Sequence, residues 1–85
     1  MTAGWSAGRV GVVGRIVAGD ELGKFVRVDA LPGEPPSYLV LLAYDREFRR
    51  GCGDYWVEDL ASVGQFFAEG EWAVEWLSSG SFKAL

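Results

Sequence analysis

The sequence predicts an α+β domain in which an antiparallel sheet of about four strands is covered on one face by a single helix. Short runs of β-branched and aromatic residues alternate with glycine- and proline-rich turns, which is typical of paired strands. One window has helical spacing, and 85 residues leave room for a single core. The predicted order is β-β-β-α-β within one domain over residues 9–77, with flexible ends at 1–8 and 78–85.

The first two predicted strands form a hairpin. Residues 9–17 are dominated by β-branched side chains, although Gly11 and Gly14 weaken the run or mark a bulge. Residues 18–23 supply turn chemistry, and residues 24–31 form the second strand.

The third predicted strand covers residues 38–44 and follows a surface loop that contains three prolines. Its apolar run has no polar alternation, which indicates a central strand covered on both faces. One hypothesis for the second cover is a homodimer through Tyr38 to Tyr44.

After this strand the chain becomes polar. Residues 45–54 are predicted to form an irregular, mobile loop, and residues 55–58 a short extended piece. Asp59 is expected to cap a helix that ends at Gly70. Its apolar positions follow the helical period: Leu60, Val63 and Phe67.

The last predicted strand places two tryptophans on one face. Trp72, Val74 and Trp76 alternate with other residues, so these three side chains should meet the helix.

Charge and cysteine content limit the classes of function. The chain has 12 acidic and 8 basic residues, no histidine and a net charge of −4, which opposes binding to nucleic acid or anionic membranes and favours basic partners. One cysteine cannot form an intramolecular disulfide, and the first residues lack a signal-peptide pattern. We therefore expect a cytoplasmic protein.

The segment from residue 51 to residue 82 contains six acidic residues, three of the four tryptophans and no lysine or arginine. A solvated face would explain these charges, but so would a surface that steers a basic partner. Trp56 either packs beneath the helix or forms an interface hot spot. The predicted partner-binding residues are Asp54, Trp56, Glu58 and Asp59, with Glu69 and Glu71 as outer steering charges.

No catalytic, metal or cofactor site is predicted. Cys52 lies near Arg49 and Arg50, which favour a reactive thiolate, but no histidine is present to act as its base. The carboxylates do not follow the spacing of a calcium loop, and one cysteine without histidine excludes a zinc site within the monomer.

Four short blocks resemble a family of small acidic bacterial proteins without an assigned activity. They cover residues 14–23, 38–42, 54–59 and 72–77. Proteins of this size, acidity and α+β build are also similar to immunity proteins that neutralise bacterial toxins. The resemblance implies no particular site residues, and residues 49–53 depart from the acidic trend.

The first functional hypothesis is a non-enzymatic protein-interaction module, and its specific form is an immunity-type inhibitor with an acidic surface that binds a basic protein. The alternatives are a homo-oligomeric structural or small-ligand-binding protein, and a thiol-dependent enzyme that uses Cys52.

Overall fold

The computed structural model describes residues 5–77 and consists of one antiparallel sheet and one α-helix. The α+β prediction is confirmed, with five strands instead of about four. The predicted flexible C-terminus, and residues 1–4 of the predicted flexible N-terminus, lie outside the described residues. In chain order the elements are a 3-10 turn (Ala7–Arg9), β1 (Gly14–Ala18), β2 (Phe25–Leu31), β3 (Ser37–Ala43), β4 (Gly51–Val57), α1 (Leu60–Glu69) and β5 (Ala73–Trp76).

The additional strand is β4, so the order of elements is β-β-β-β-α-β. The prediction of an irregular loop over residues 45–54 is wrong from residue 51 onward. Strand β4 pairs with β3 from Tyr38 opposite Val57 as far as Leu42 opposite Gly53, and then the register shifts so that Cys52 is an extra residue. This bulge interrupts the period-two pattern that would have indicated a strand.

The strands lie in the order β4-β3-β2-β1-β5, and every neighbouring pair is antiparallel. The last strand, β5, therefore pairs with the first strand, β1. Strand β3 is hydrogen-bonded on both sides, which confirms a central position for the apolar run. In the part of the chain that the structure describes, β4 and β5 form the two edges of the sheet.

The core lies between α1 and one face of the sheet. Val63 and Phe67 are the buried residues of the helix, at the spacing that the sequence predicted. Asp59 is the N-cap, since its carboxylate accepts a hydrogen bond of 2.8 Å from the backbone N–H of Ser62. The buried hydrophobic residues of the sheet are Ile16, Val26, Val28, Tyr38, Val40, Leu42, Ala43 and Val74.

The helix ends where the sequence predicted, but with a different geometry. Gly70 keeps a right-handed conformation with φ of −81°, and the left-handed residue is Glu71, with φ of 57°. A Cβ atom on Gly70 would lie 2.5 Å from Nε1 of Trp72. Glycine is therefore needed there for the close approach of an indole ring.

Aromatic rings join α1 to both ends of the described chain. The predicted contact of Trp72 and Trp76 with the helix is confirmed, because their ring centroids lie 4.8 and 6.1 Å from that of Phe67. Trp5 also packs here, 5.5 Å from Phe67 and 6.0 Å from Trp76.

Candidate functional site

The sheet has a second face on the side away from α1. Residues directly opposite each other in an antiparallel sheet project to the same side. Two rows across β2, β3 and β4 lie on this side: Asp29, Leu39 and Trp56, and Arg27, Leu41 and Asp54. We call these six residues the open face. Neither a helix nor a second sheet covers it within residues 5–77.

Trp56 is the aromatic residue among the six of the open face, and 61% of its surface is accessible to solvent. The interpretation that it packs beneath the helix is wrong, because it projects to the opposite side. Tyr55 contacts the helix instead, since the centroid of its ring lies 5.1 Å from that of Phe66. An exposed indole next to the half-buried Leu39 remains available for an interface.

Two exposed carboxylates flank Trp56 along the chain. Asp54 precedes it on the same face of β4, and Glu58 follows it just after the strand. The ion pairs within the described residues are Lys24 with Glu21 and Arg27 with Asp29, so neither flanking carboxylate is neutralised there. The site therefore combines a large apolar group with uncompensated negative charge.

The neighbouring row contains a fixed cation. Arg27 donates from Nε and Nη2 to the two carboxylate oxygens of Asp29 at 2.9 and 3.0 Å, and the ring of Phe48 lies 4.9 Å from its Cζ. A shallow recess of about 400 Å³ opens beside this pair; its lining includes Leu41 and Asp54. Arg27, Asp29 and Phe48 are not among the site residues predicted from the sequence. The period-two spacing of Arg27 and Asp29 on a strand is the signal that could have found the first two.

Asp45 organises the turn that carries Phe48. Its carboxylate accepts hydrogen bonds from the backbone N–H groups of Arg50 and Arg49 at 2.8 and 3.2 Å, and these bonds lower its pKa. Phe48 has φ of 58°, a left-handed conformation that is rare for a bulky residue. The sequence provides no local signal for it.

Glu58 and Asp59 occupy the turn between β4 and α1. Hydrogen bonds from the side chain and then the backbone N–H of Ser62 lower the pKa of the Asp59 carboxyl. Asp59 therefore stabilises the start of the helix in addition to contributing charge to this end of β4.

Glu69 and Glu71 lie at the other end of α1. Glu69 is the last of the ten residues of α1, about 15 Å along the helix axis from the cap residue Asp59, and Glu71 lies just beyond it. Glu69 and Glu71 lie near Asp20 and Glu21, because the backbone N–H of Asp20 donates a hydrogen bond of 2.9 Å to the carbonyl of Gly70. The structure thus brings Asp54, Trp56, Glu58 and Asp59 together along β4 and the turn after it, and places Glu69 and Glu71 elsewhere.

Other sites considered in the sequence have less support. Cys52 is half-buried at the bulge and packs against the core. Among residues 5–77 no three carboxylate or thiol groups are arranged to hold a metal ion. Over the same range, no helix has the length and apolarity needed to cross a bilayer.

Comparisons with protein-family models, with curated proteins and with solved structures found no match for this chain.

Proposed function

We propose that this protein is a non-enzymatic binding module, of the immunity-inhibitor type, that uses Trp56 and its neighbouring carboxylates to bind a basic protein. The observation that carries the proposal is an indole with 61% of its surface accessible on the uncovered side of a sheet, between Asp54 and Glu58. Tryptophan is one of the residue types enriched in interface hot spots, so its exposure beside two unpaired acids marks this surface as a candidate interface.

The combination matches the general anatomy of protein interfaces. Removal of a tryptophan that forms an interface hot spot costs about 2 kcal/mol or more of binding free energy, while charges at the rim mainly affect association rate and specificity. Trp56 would supply the apolar anchor, and Asp54, Glu58 and Asp59 would attract basic side chains around it. The net charge of −4 would add long-range steering.

The test is affinity capture from a native lysate, followed by identification of the captured protein and titration of the purified pair. We expect a basic partner that is held by the wild type and is lost with Trp56→Ala. Asp54→Lys combined with Glu58→Lys should also weaken binding, more strongly at low salt.

The matched control is Glu69→Lys with Glu71→Lys, which makes the same change in net charge at the other end of α1. This control should retain most of the affinity because it leaves the Trp56 surface intact. A partner that binds Trp56→Ala as tightly as the wild type would contradict the proposal.

A homo-oligomeric structural protein is the second candidate. Leu39 and Leu41 lie on the open face and are only half-buried. A second copy stacked on this face would supply the cover that the apolar run of β3 led us to expect.

A further inference from the structure

The two edges of the sheet differ in a way that concerns self-association. Strand β5 has four residues, whereas β4 has seven and retains regular pairing with β3 from Gly53 to Val57. Exposed edges are usually protected by lysine, proline, inward-pointing charge or a β-bulge. Strand β4 has no lysine, arginine or proline, and its bulge at Cys52 leaves the residues from Gly53 to Val57 in regular pairing, so the outer backbone groups of this part can pair with another strand.

Charge is arranged asymmetrically along β4. The exposed Arg49 and Arg50 immediately precede it, and the exposed Glu58 and Asp59 immediately follow it. When two identical strands pair in antiparallel orientation, the beginning of each lies beside the end of the other. The dimer would then contain two contacts between a basic end of one strand and an acidic end of the other. Parallel pairing would instead bring like charges together.

We propose that β4 pairs antiparallel with β4 of a second copy, which joins two five-stranded sheets into one continuous sheet. This inference goes beyond the proposed function, because it assigns a surface to self-association and does not depend on the basic partner.

Symmetry selects the register. A two-fold axis between antiparallel copies must be perpendicular to the sheet, so opposite residues share a face and the axis runs midway between one residue and the same residue of the second copy. An axis at Asp54 would place this residue opposite itself, and an axis at Trp56 would place Asp54 opposite Glu58. An axis at Tyr55 avoids both repulsions, with Tyr55 opposite Tyr55 and Asp54 opposite Trp56.

This register would join the two open faces. Each Trp56 would lie beside Asp54 of the second copy, and both helices would stay on the same side of the extended sheet. Arg50 would lie close to Asp59 of the second copy. The contact is small, so the dimer should be weak and should form reversibly with increasing concentration.

Sedimentation velocity over a wide concentration range tests the charge arrangement. We expect the wild type to dimerise, and Arg50→Glu or Glu58→Arg alone to weaken the dimer about tenfold. An equimolar mixture of the two variants should recover dimerisation, because every end in the mixed dimer again meets its opposite charge. Arg15→Glu, an exposed change on β1, is the control and should leave the dimer unchanged.

A wild type that stays monomeric at every concentration would overturn the proposal, as would a mixture no stronger than its components. Neither result would affect the Trp56-dependent binding proposed above, so the two ideas fail separately.

Thiol cross-linking tests the register. In a Cys52→Ser background, Tyr55→Cys should give a disulfide-linked dimer under mild oxidation, because directly opposed residues have Cα atoms about 4.5 to 5.5 Å apart. Leu39→Cys in the same background is the matched control on the open face and should stay monomeric. Efficient linking of the Leu39 variant instead of the Tyr55 variant would show face-to-face stacking and overturn the edge pairing. Circular dichroism checks that Tyr55→Cys folds after losing its ring contact with Phe66.

Discussion

Gly14 leaves room for the aromatic end of strand β5. A Cβ atom on Gly14 would lie 2.5 Å from Cγ1 of Val74 and 2.8 Å from Cε3 of Trp76. Gly14→Ala should therefore lower the free energy of unfolding by about 1 to 3 kcal/mol, since the buried Val74 and the half-buried Trp76 must move. Gly8→Ala is the control, because no atom lies within 4 Å of its added methyl group. Urea denaturation measures both, and equal stability of the two variants would contradict this account of Gly14.

Residues whose roles depend on distant partners were the ones that the sequence could not assign. Gly14 was interpreted only as a weak point or a bulge, because its contact with Trp76 joins opposite ends of the domain. Trp56 was left between two interpretations for the same reason. Its direction depends on the register between β4 and β3, which a single strand does not reveal.

The N-cap residue Asp59 makes the stability of helix α1 depend on pH. The pKa of the Asp59 carboxyl lies below the ordinary value of 3.8, because Ser62 hydrogen-bonds to its charged form. A lowered folded-state pKa adds stability above the unfolded value, and this stability is lost as pH falls through the folded value. Asp59→Ala should therefore melt below the wild type at neutral pH, and the difference should shrink below about pH 4.

Asp59→Asn separates the cap from the charge. The amide oxygen still accepts the hydrogen bond from Ser62 but does not titrate, so this variant should lack the acid-dependent loss that comes from Asp59. Thermal melts followed by circular dichroism at several pH values provide the comparison. A gap between Asp59→Ala and the wild type that stays constant into acid would contradict the role of the ionised carboxylate.

The helix was predictable because its signals lie close together in the sequence. The strands were less predictable because their bounds depend on pairing with other strands. The start of α1, its buried Val63 and Phe67, and its end at Glu69 follow from a cap, a period and a glycine. Strand β4 was missed over its first half because the bulge at Cys52 and two glycines remove the alternation. Strand β1 begins at Gly14 instead of residue 9, since a 3-10 turn precedes it.

Across the whole molecule, the fold divides charges that are continuous in sequence. The acidic run suggested one surface, but ten helical residues place Glu69 and Glu71 at the opposite end of α1 from Asp59. Composition predicted the sign of the charge and could not predict this division, because the length and direction of the helix determine it. The proposed function therefore takes the sign of the partner's charge from the net charge of −4 and the binding position from the exposed Trp56.

Phe67 and Trp56 provide a whole-molecule test that separates stability from binding. Phe67 is 2% exposed and contacts Trp5, Trp72 and Trp76, so it joins the helix to both ends of the described chain. Phe67→Ala should cost about 3 to 5 kcal/mol, a large part of the roughly 4 to 13 kcal/mol expected for a chain of this length. Trp56→Ala removes a larger ring from an exposed position and should change stability by less than about 0.5 kcal/mol. Chemical denaturation followed by tryptophan fluorescence for Phe67→Ala, and by circular dichroism for Trp56→Ala, measures both effects. A strongly destabilised Trp56→Ala would make Trp56 a structural residue and would remove the main support for the open face as a binding surface.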